Sequence, residues 1–157
     1  MSALDMLIRR LMAQRACLDR AAELVRPLSG PLLQLGFGDG SAYDHLSELL
    51  RGRDIVVFDR GPIAREHLPP QRLALGEWHE TLAAAWDHLQ RQAVLAHVNL
   101  PVTAAPRLAA DITPLLAPLL RPGAVVVSEV AFDLPGWLAL PLPDGLKPGR
   151  HYLYRVE

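Results

Sequence analysis

Cysteine and long apolar runs are scarce in this chain of 157 residues, and their scarcity excludes disulfides and membrane-spanning segments. Cys17 is the single cysteine, so no disulfide can close within the chain, and a reducing, cytoplasmic compartment is expected. The longest mainly apolar stretch, 124–142, contains Glu129 and Asp133, so no segment approaches the ~20 apolar residues of a membrane span. Charged residues interrupt the N-terminal segment in the same way, and a secretory signal is not expected there.

An excess of charge of one sign is also missing, since 16 basic residues face 17 acidic ones and the formal net charge is −1. This balance gives no overall attraction to nucleic acid or to an acidic membrane surface, and neither partner is expected. Hydrophobic residues make up 50% of the chain and charged residues 21%, which is typical of a globular protein. The length predicts one domain over 1–157, with an N-terminal helix in 1–28 and a core in 31–157.

Short apolar runs alternate with amphipathic segments along most of the chain, and the two patterns predict strands and helices respectively. Strands are predicted at 31–35, 55–58, 72–75, 93–98 and 124–127, the last after a turn at 121–123. Helices are predicted at 43–50, 82–92 and 108–120, the last with Pro114 in its first turn and Pro118 kinking or ending it. Two final strands, 138–142 and 151–156, follow without a helix between them and are therefore antiparallel. The alternation predicts a mostly parallel sheet of seven strands with helices on both faces and a C-terminal antiparallel hairpin.

The N-terminal helix is predicted from about Leu4 to Val25. Apolar residues recur there at i, i+3 and i+4, with arginines on the other face, and Pro27 and Gly30 end the pattern. The arginine face is expected to be solvated. The helix could also cap a pocket or form the contact of a homodimer, and the sequence leaves these alternatives open.

A glycine-rich turn, Gly36-Phe-Gly38-Asp-Gly40, joins the first core strand to the next helix, and Asp59 ends the following strand. Glycines let a ligand approach the main chain closely, and a helix N-terminus adds free N–H groups and a positive dipole end. The carboxyl ends of parallel strands meet at one edge of a sheet, so the turn and Asp59 are predicted to form a ligand site. The alternative is a tight strand–helix connection without a ligand, with Asp59 as a cap or a surface carboxylate.

The spacing of these glycines is G-x-G-x-G, with Ser41 where dinucleotide enzymes carry a third glycine. This turn resembles motif I of class I S-adenosyl-L-methionine-dependent methyltransferases. The wider pattern includes segments 13–18, 43–46, 57–60 and 73–77 and the terminal hairpin. Together these segments make the chain similar to a small bacterial family of methyltransferases of unknown substrate. The resemblance implies a Rossmann-like class I methyltransferase fold, a transferase activity and S-adenosyl-L-methionine as the cofactor.

The resemblance also implies roles for individual residues. It places Gly36, Phe37, Gly38 and Gly40 at the methionine part of the cofactor, Asp59 at the ribose hydroxyls, Glu77 and Trp78 at the adenine, and Asn99 where methyl group and acceptor meet. The cofactor set is completed by Arg60 and by Gln34, which stands where motif I usually opens with an acidic residue. Tyr43 and His45 are candidates for substrate binding, and no residue is identified as a catalytic base.

The expected activity is methyl transfer to a small-molecule acceptor, with two alternatives. One is a protein that binds S-adenosylmethionine without transferring the methyl group, and the other is a dinucleotide-binding oxidoreductase module, which Ser41 disfavours. His45 and His79 lie nearest the expected pocket, where either could act as a base or lie on the surface. No metal site is expected, because the histidines and Cys17 lack ligand spacing. The segment Asn99-Leu-Pro101-Val lacks the second proline and the aromatic residue of the signature of amino-methylating nucleic-acid enzymes.

Overall fold

A computed structural model describes residues 1–61, 63, 68–100 and 105–157 of the chain, so Pro101 lies outside the described residues. The helices are α1 (Ala3–Val25), α2 (Ser41–Leu49), α3 (Trp78–Leu89) and α4 (Ala105–Leu116). The strands are β1 (Leu32–Leu35), β2 (Ile55–Asp59), β3 (Leu73–Leu75), β4 (Ala93–Val98), β5 (Leu120–Ser128), β6 (Trp137–Ala139) and β7 (Tyr152–Val156), and short 3₁₀ turns lie at Pro70–Arg72 and Ala117–Leu119. Among these residues no helix is long and apolar enough to cross a membrane.

The strands form one seven-stranded sheet in the order β3-β2-β1-β4-β5-β7-β6. The strands β1 to β5 run parallel to one another, whereas β7 runs antiparallel to both β5 and β6. Residues of α1 and α2 pack in one hydrophobic cluster with one face of the sheet, and residues of α3 and α4 pack in a second cluster on the other face. The predicted fold class is confirmed, including the antiparallel strands at the C-terminus.

The centre of the sheet is covered on both faces, which explains its mostly apolar sequence. All residues of β1 and β4 are buried. In β1, Leu32 belongs to the cluster under α1 and α2, whereas Leu33 and Leu35 belong to the cluster under α3 and α4. A strand buried on both faces needs apolar side chains at nearly every position instead of an alternating pattern.

Several element bounds differ from the sequence prediction. Helix α2 begins at Ser41 because Gly40, with φ +83°, is its N-cap, and α3 begins at Trp78 because the extended residue Glu77 precedes it. Helix α4 contains Pro114 in its interior, not in its first turn, and gives way to a 3₁₀ turn that includes Pro118. Strand β5 begins at Leu120, so segment 121–123 lies within the strand next to a register shift instead of forming a turn before it.

Helix α1 has the predicted length, but its apolar stripe is only half buried. Ala13, Cys17, Leu18 and the later apolar residues pack against the sheet and α2, whereas Leu4, Leu7 and their neighbours are exposed. The sequence pattern does not separate the two halves of the helix, because the apolar spacing is the same in both. The expectation of a solvated arginine face is confirmed, because Arg9, Arg10, Arg15 and Arg20 are all exposed. Arg10 also binds Glu129.

Candidate functional site

The predicted site residues follow the carboxyl ends of four neighbouring strands. The glycine turn follows β1, Asp59 ends β2, Glu77 follows β3 and Asn99 follows β4. Backbone hydrogen bonds join these ends: Gly36 N donates to Phe58 O over 2.8 Å, and Asn99 N donates to Leu35 O over 2.8 Å. The order of the sheet reverses between β1 and β4, and ligands bind at such switch points in open α/β sheets.

Two glycines of the turn need to be glycine for different reasons. Gly36 has φ +85°, and a Cβ there would lie 2.3 Å from the backbone oxygen of Asn99, so packing alone excludes a side chain. Gly38 has φ +60° and is exposed, and a Cβ there would meet only the side-chain nitrogen of Asn99, at 3.3 Å. The space above Gly38 is thus open on the side where a ligand would approach.

The carboxylate of Asp59 binds the backbone around the turn. Its Oδ2 accepts a hydrogen bond from Phe37 N over 2.8 Å, and its Oδ1 accepts one from Gly61 N over 3.0 Å. The Phe37 ring is buried and lies 5.8 Å from the ring of Tyr43, so Phe37 offers the site its main chain and not its side chain. A carboxylate oxygen has a second lone pair, so each Asp59 oxygen can still accept a ligand hydroxyl.

The next strand end carries an ion pair. Arg60 lies with its Nη2 and Nε each 3.3 Å from a carboxylate oxygen of Glu77, and both side chains are more than half exposed. Trp78 is buried at the start of α3, where its indole Nε1 has no hydrogen-bond partner among the described residues. The structure therefore brings Arg60, Glu77 and Trp78 together beside Asp59, with Trp78 packed inward.

Gln34 lies behind the turn and is fully buried. Its Nε2 donates to Gly36 O over 2.8 Å, and its Oε1 lies 2.9 Å from Nδ1 of the buried His97, which is its register partner on β4. Burial lowers the pKa of His97 to about 4, so His97 is neutral at physiological pH and can donate from Nδ1 to Gln34. Gln34 thus contacts the glycine turn only through Gly36 O. No local pattern identified His97 as its partner.

The two candidate substrate residues are separated. Tyr43 packs on Phe37, and its hydroxyl accepts a hydrogen bond from Arg72, which is the main cause of the raised pKa of that guanidinium.

His45 binds Asp19 of α1 through Nε2, at 2.7 Å. His79 is exposed near Glu80. Sequence reasoning missed Asp19, because a contact between two helices 26 residues apart leaves no local pattern. Within the described part of the chain, no group of three metal-ligating side chains could hold an ion.

This strand order, with a glycine turn after β1 and a carboxylate at the end of the neighbouring β2, is that of a class I methyltransferase. The chain belongs to the S-adenosyl-L-methionine methyltransferase family, whose model matches residues 1–156. An S-adenosyl-L-methionine methyl transferase from Silicibacter pomeroyi DSS-3 is 37% identical and superimposes with a TM-score of 0.91, over 100% of this chain and 99% of that one. The protein is therefore an S-adenosylmethionine-dependent methyltransferase, as its resemblance predicted.

More distant structures share the fold alone. The cofactor-bound Rv0187 from MTB is 16% identical with a TM-score of 0.63, covering 96% of this chain and 88% of its own. The fibrillarin pre-rRNA processing protein of Methanococcus jannaschii is 13% identical with a TM-score of 0.60, covering 82% and 67%. No curated protein matches the chain at a comparable level.

The groups at the carboxyl edge of the sheet fit the cofactor of this family. The open space above Gly38 leaves the main chain accessible to an extended amino-acid tail. Asp59 presents acceptors to a pair of hydroxyls, and Glu77 presents acceptors to an exocyclic amino group.

Proposed function

We propose that the glycine turn and the ends of β2, β3 and β4 hold S-adenosyl-L-methionine, and that the enzyme methylates a small-molecule acceptor. The observation that carries the proposal is the hydrogen bond from Phe37 N to Asp59 Oδ2, at 2.8 Å. This bond joins the glycine turn to the end of β2, and the space above Gly38 beside it is open. The bound cofactor supplies a methyl group on a positively charged sulfur, which is a good leaving group.

Each residue of the proposed site has a role that its position supports. Gly36, Gly38 and Gly40 shape the turn around the methionine part, with Phe37 contributing its main chain. Gln34 holds Gly36 from behind. Asp59 binds the ribose hydroxyls, with charge-assisted hydrogen bonds worth roughly 1.5–3 kcal/mol each. Arg60 orients Glu77 toward the adenine amino group, Trp78 packs beneath, and Asn99 lies beside Gly38 where methyl group and acceptor meet.

A small acceptor is supported by the charge of the chain. The formal net charge of −1 provides no general attraction for nucleic acid, whose binding depends mainly on phosphate contacts. The enzyme's main contribution is then placement, since aligning acceptor, methyl carbon and sulfur can lower a barrier by up to ~7–11 kcal/mol.

Calorimetric titration with S-adenosylhomocysteine tests the site. The wild type should bind this product and should not bind NADH. Asp59→Ala should weaken binding by about 2–4 kcal/mol, because two hydrogen bonds to a charged acceptor are lost. Asp54→Ala is the matched control, since it removes an exposed carboxylate that precedes the other end of the same strand. Unchanged affinity in a folded Asp59→Ala variant would remove Asp59 from the site, and binding of NADH alone would refute the cofactor assignment.

A further inference from the structure

A groove lies between the exposed half of α1 and the first turn of α2, with a volume of about 340 Å³. We refer to it as the α1–α2 groove. Its walls include Ile8, Leu11, Met12, Leu18, Ser41 and His45. A volume of this order accommodates a molecule of one or two rings, and such sites are mostly apolar with a few placed polar groups.

The groove adjoins the glycine turn. Ser41 lines it and directly follows Gly40, the last glycine of the turn. A molecule in the α1–α2 groove therefore lies next to the residue that follows the turn.

The exposed half of α1 is fixed in place over this edge of the sheet. Arg10 Nε donates to both carboxylate oxygens of Glu129, at 2.9 and 3.0 Å. Glu129 directly follows β5, and its side chain is only 9% exposed. The contact therefore anchors α1 at the carboxyl edge of the sheet. Ile8, Leu11 and Met12 nonetheless remain 43–55% exposed. A contiguous set of large apolar side chains on a fixed element marks a binding surface.

The polar side of the groove carries a histidine with a defined proton position. Asp19 Oδ1 lies 2.7 Å from His45 Nε2, and an ionised carboxylate can only accept, so Nε2 carries the proton. In the neutral ring the other nitrogen, Nδ1, then holds the lone pair, and no hydrogen bond to it is made by the described residues. This is the arrangement in which a carboxylate orients an imidazole to act as a base.

We propose that the α1–α2 groove binds the methyl acceptor, that the acceptor is an aromatic hydroxyl compound, and that His45 accepts its proton. This inference rests on the proposed function. An aromatic ring suits Met12, whose sulfur contacts ring edges favourably, and Arg15, which also lines the groove and can lie over a ring face. A phenol ionises near pH 10, within reach of a histidine base, whereas an aliphatic alcohol ionises far above that range.

The step balances without a further reactant. The acceptor hydroxyl gives its proton to His45 Nδ1, and its oxygen lone pair forms the new bond to the methyl carbon. The electron pair of the broken carbon–sulfur bond stays on sulfur, which becomes neutral. The imidazolium then releases its proton to water. Asp19 is a positioning residue, because it acts only by holding the ring.

The test uses 4-nitrophenol, whose colour changes on ionisation, added to the 157-residue chain saturated with S-adenosylhomocysteine. Leu11→Glu should weaken nitrophenol binding by about tenfold or more, which corresponds to about 1.4 kcal/mol. The matched control is Leu138→Glu, since Leu138 is similarly exposed, on β6, outside the groove. His45→Gln should retain binding but lower the ionised fraction of bound nitrophenol at a given pH, and His88→Gln, on α3, should not. Nitrogen NMR should find the His45 proton on Nε2 in the wild type, and a tautomer mixture in Asp19→Asn.

The outcomes separate this inference from the proposed function. Failure of S-adenosylhomocysteine to bind would refute the proposed function. Normal S-adenosylhomocysteine binding with no effect of Leu11→Glu on nitrophenol, or equal ionisation in His45→Gln and wild type, would refute the acceptor site alone. A wild-type dimer by light scattering that Leu11→Glu dissociates would also overturn it, because a second copy would then fill the groove.

Discussion

Gly36 and Gly38 are separated by one residue, yet different physical reasons require a glycine at each position. The backbone oxygen of Asn99 lies where a Gly36 side chain would begin, so Gly36 is required by the protein's own packing. The position above Gly38 is filled by nothing in the described structure closer than a side-chain amide at 3.3 Å. A glycine that packing does not require is the better indicator of a bound ligand.

Gly38→Val should abolish most of the affinity for S-adenosylhomocysteine, by about a hundredfold or more, because the new side chain fills the space above the turn. Gly145→Val is the matched control, because it places a valine at a similar φ of +84° with open space around it. It introduces similar backbone strain but should leave the affinity for S-adenosylhomocysteine unchanged. Calorimetry on the two variants, after their melting temperatures have been compared, makes the measurement. Normal binding by folded Gly38→Val would show that the turn serves only as a connection.

At the scale of elements, β1 and β4 are tied together by a buried polar pair. His97 and Gln34 are register partners at the carboxyl ends of these strands, and Gln34 in turn donates to Gly36 O over 2.8 Å. Removing a partner from a buried hydrogen bond leaves the other group unsatisfied, which costs more than the bond itself contributes. The pair therefore supports the shape of the glycine turn from inside the sheet.

The pair makes stability depend on pH. The folded protein binds a proton at His97 only near pH 4, whereas an unfolded histidine binds one near pH 6.5. Between these values the unfolded state binds more protons, so stability falls as pH decreases from about 6.5 to about 4, by about 3 kcal/mol in total. Urea unfolding of wild type and His97→Gln over this range should show a steeper loss in the wild type. Parallel curves would contradict the assignment, since His151, whose pKa burial also lowers, is present in both.

The sequence pattern predicted most strands well. The strands β1, β2, β3, β4 and β7 were found within a residue of their observed ends, because short runs rich in apolar residues mark them. Strand β5 begins four residues before its predicted start, because 121–123 was interpreted as a turn. Helix starts were predicted late, since Ser41 and Trp78 precede the apolar periodicity on which the prediction depended. The sequence could not show which half of α1 is exposed, because its apolar spacing is the same in both halves. Only the tertiary structure shows that Leu4, Leu7, Ile8, Leu11 and Met12 are exposed.

At the scale of the whole molecule, cavity size and chemistry point to opposite edges of the sheet. A cavity of about 670 Å³ lies at the amino edge, lined by residues that include Arg53, Asp54 and Arg72. Arg53 donates to the backbone carbonyls of Val25 and Arg26, and Arg72 is paired with Asp54, so these charges are engaged within the protein. The carboxyl edge instead gathers Asp59, the open turn and Asn99 from separate strands.

The same contrast explains which site residues could be predicted from the sequence. Asp59 and Asn99 follow apolar strands, and parallel topology brings strand ends together whatever lies between them. The partners Asp19 and His97 were not predicted, because each acts through a long-range contact that no local spacing encodes. The hydrogen bond between Tyr43 and Arg72 is another long-range contact that was not predicted.

Chemical-shift mapping of the 157-residue chain during titration with S-adenosylhomocysteine tests the site assignment most directly. The site assignment predicts that perturbed amides cluster at residues 36–41, 59–61, 77–78 and 99, with those around Gly52 and Asp54 at the amino edge unchanged. Perturbations concentrated at the amino-edge cavity, with the glycine turn unaffected, would contradict it.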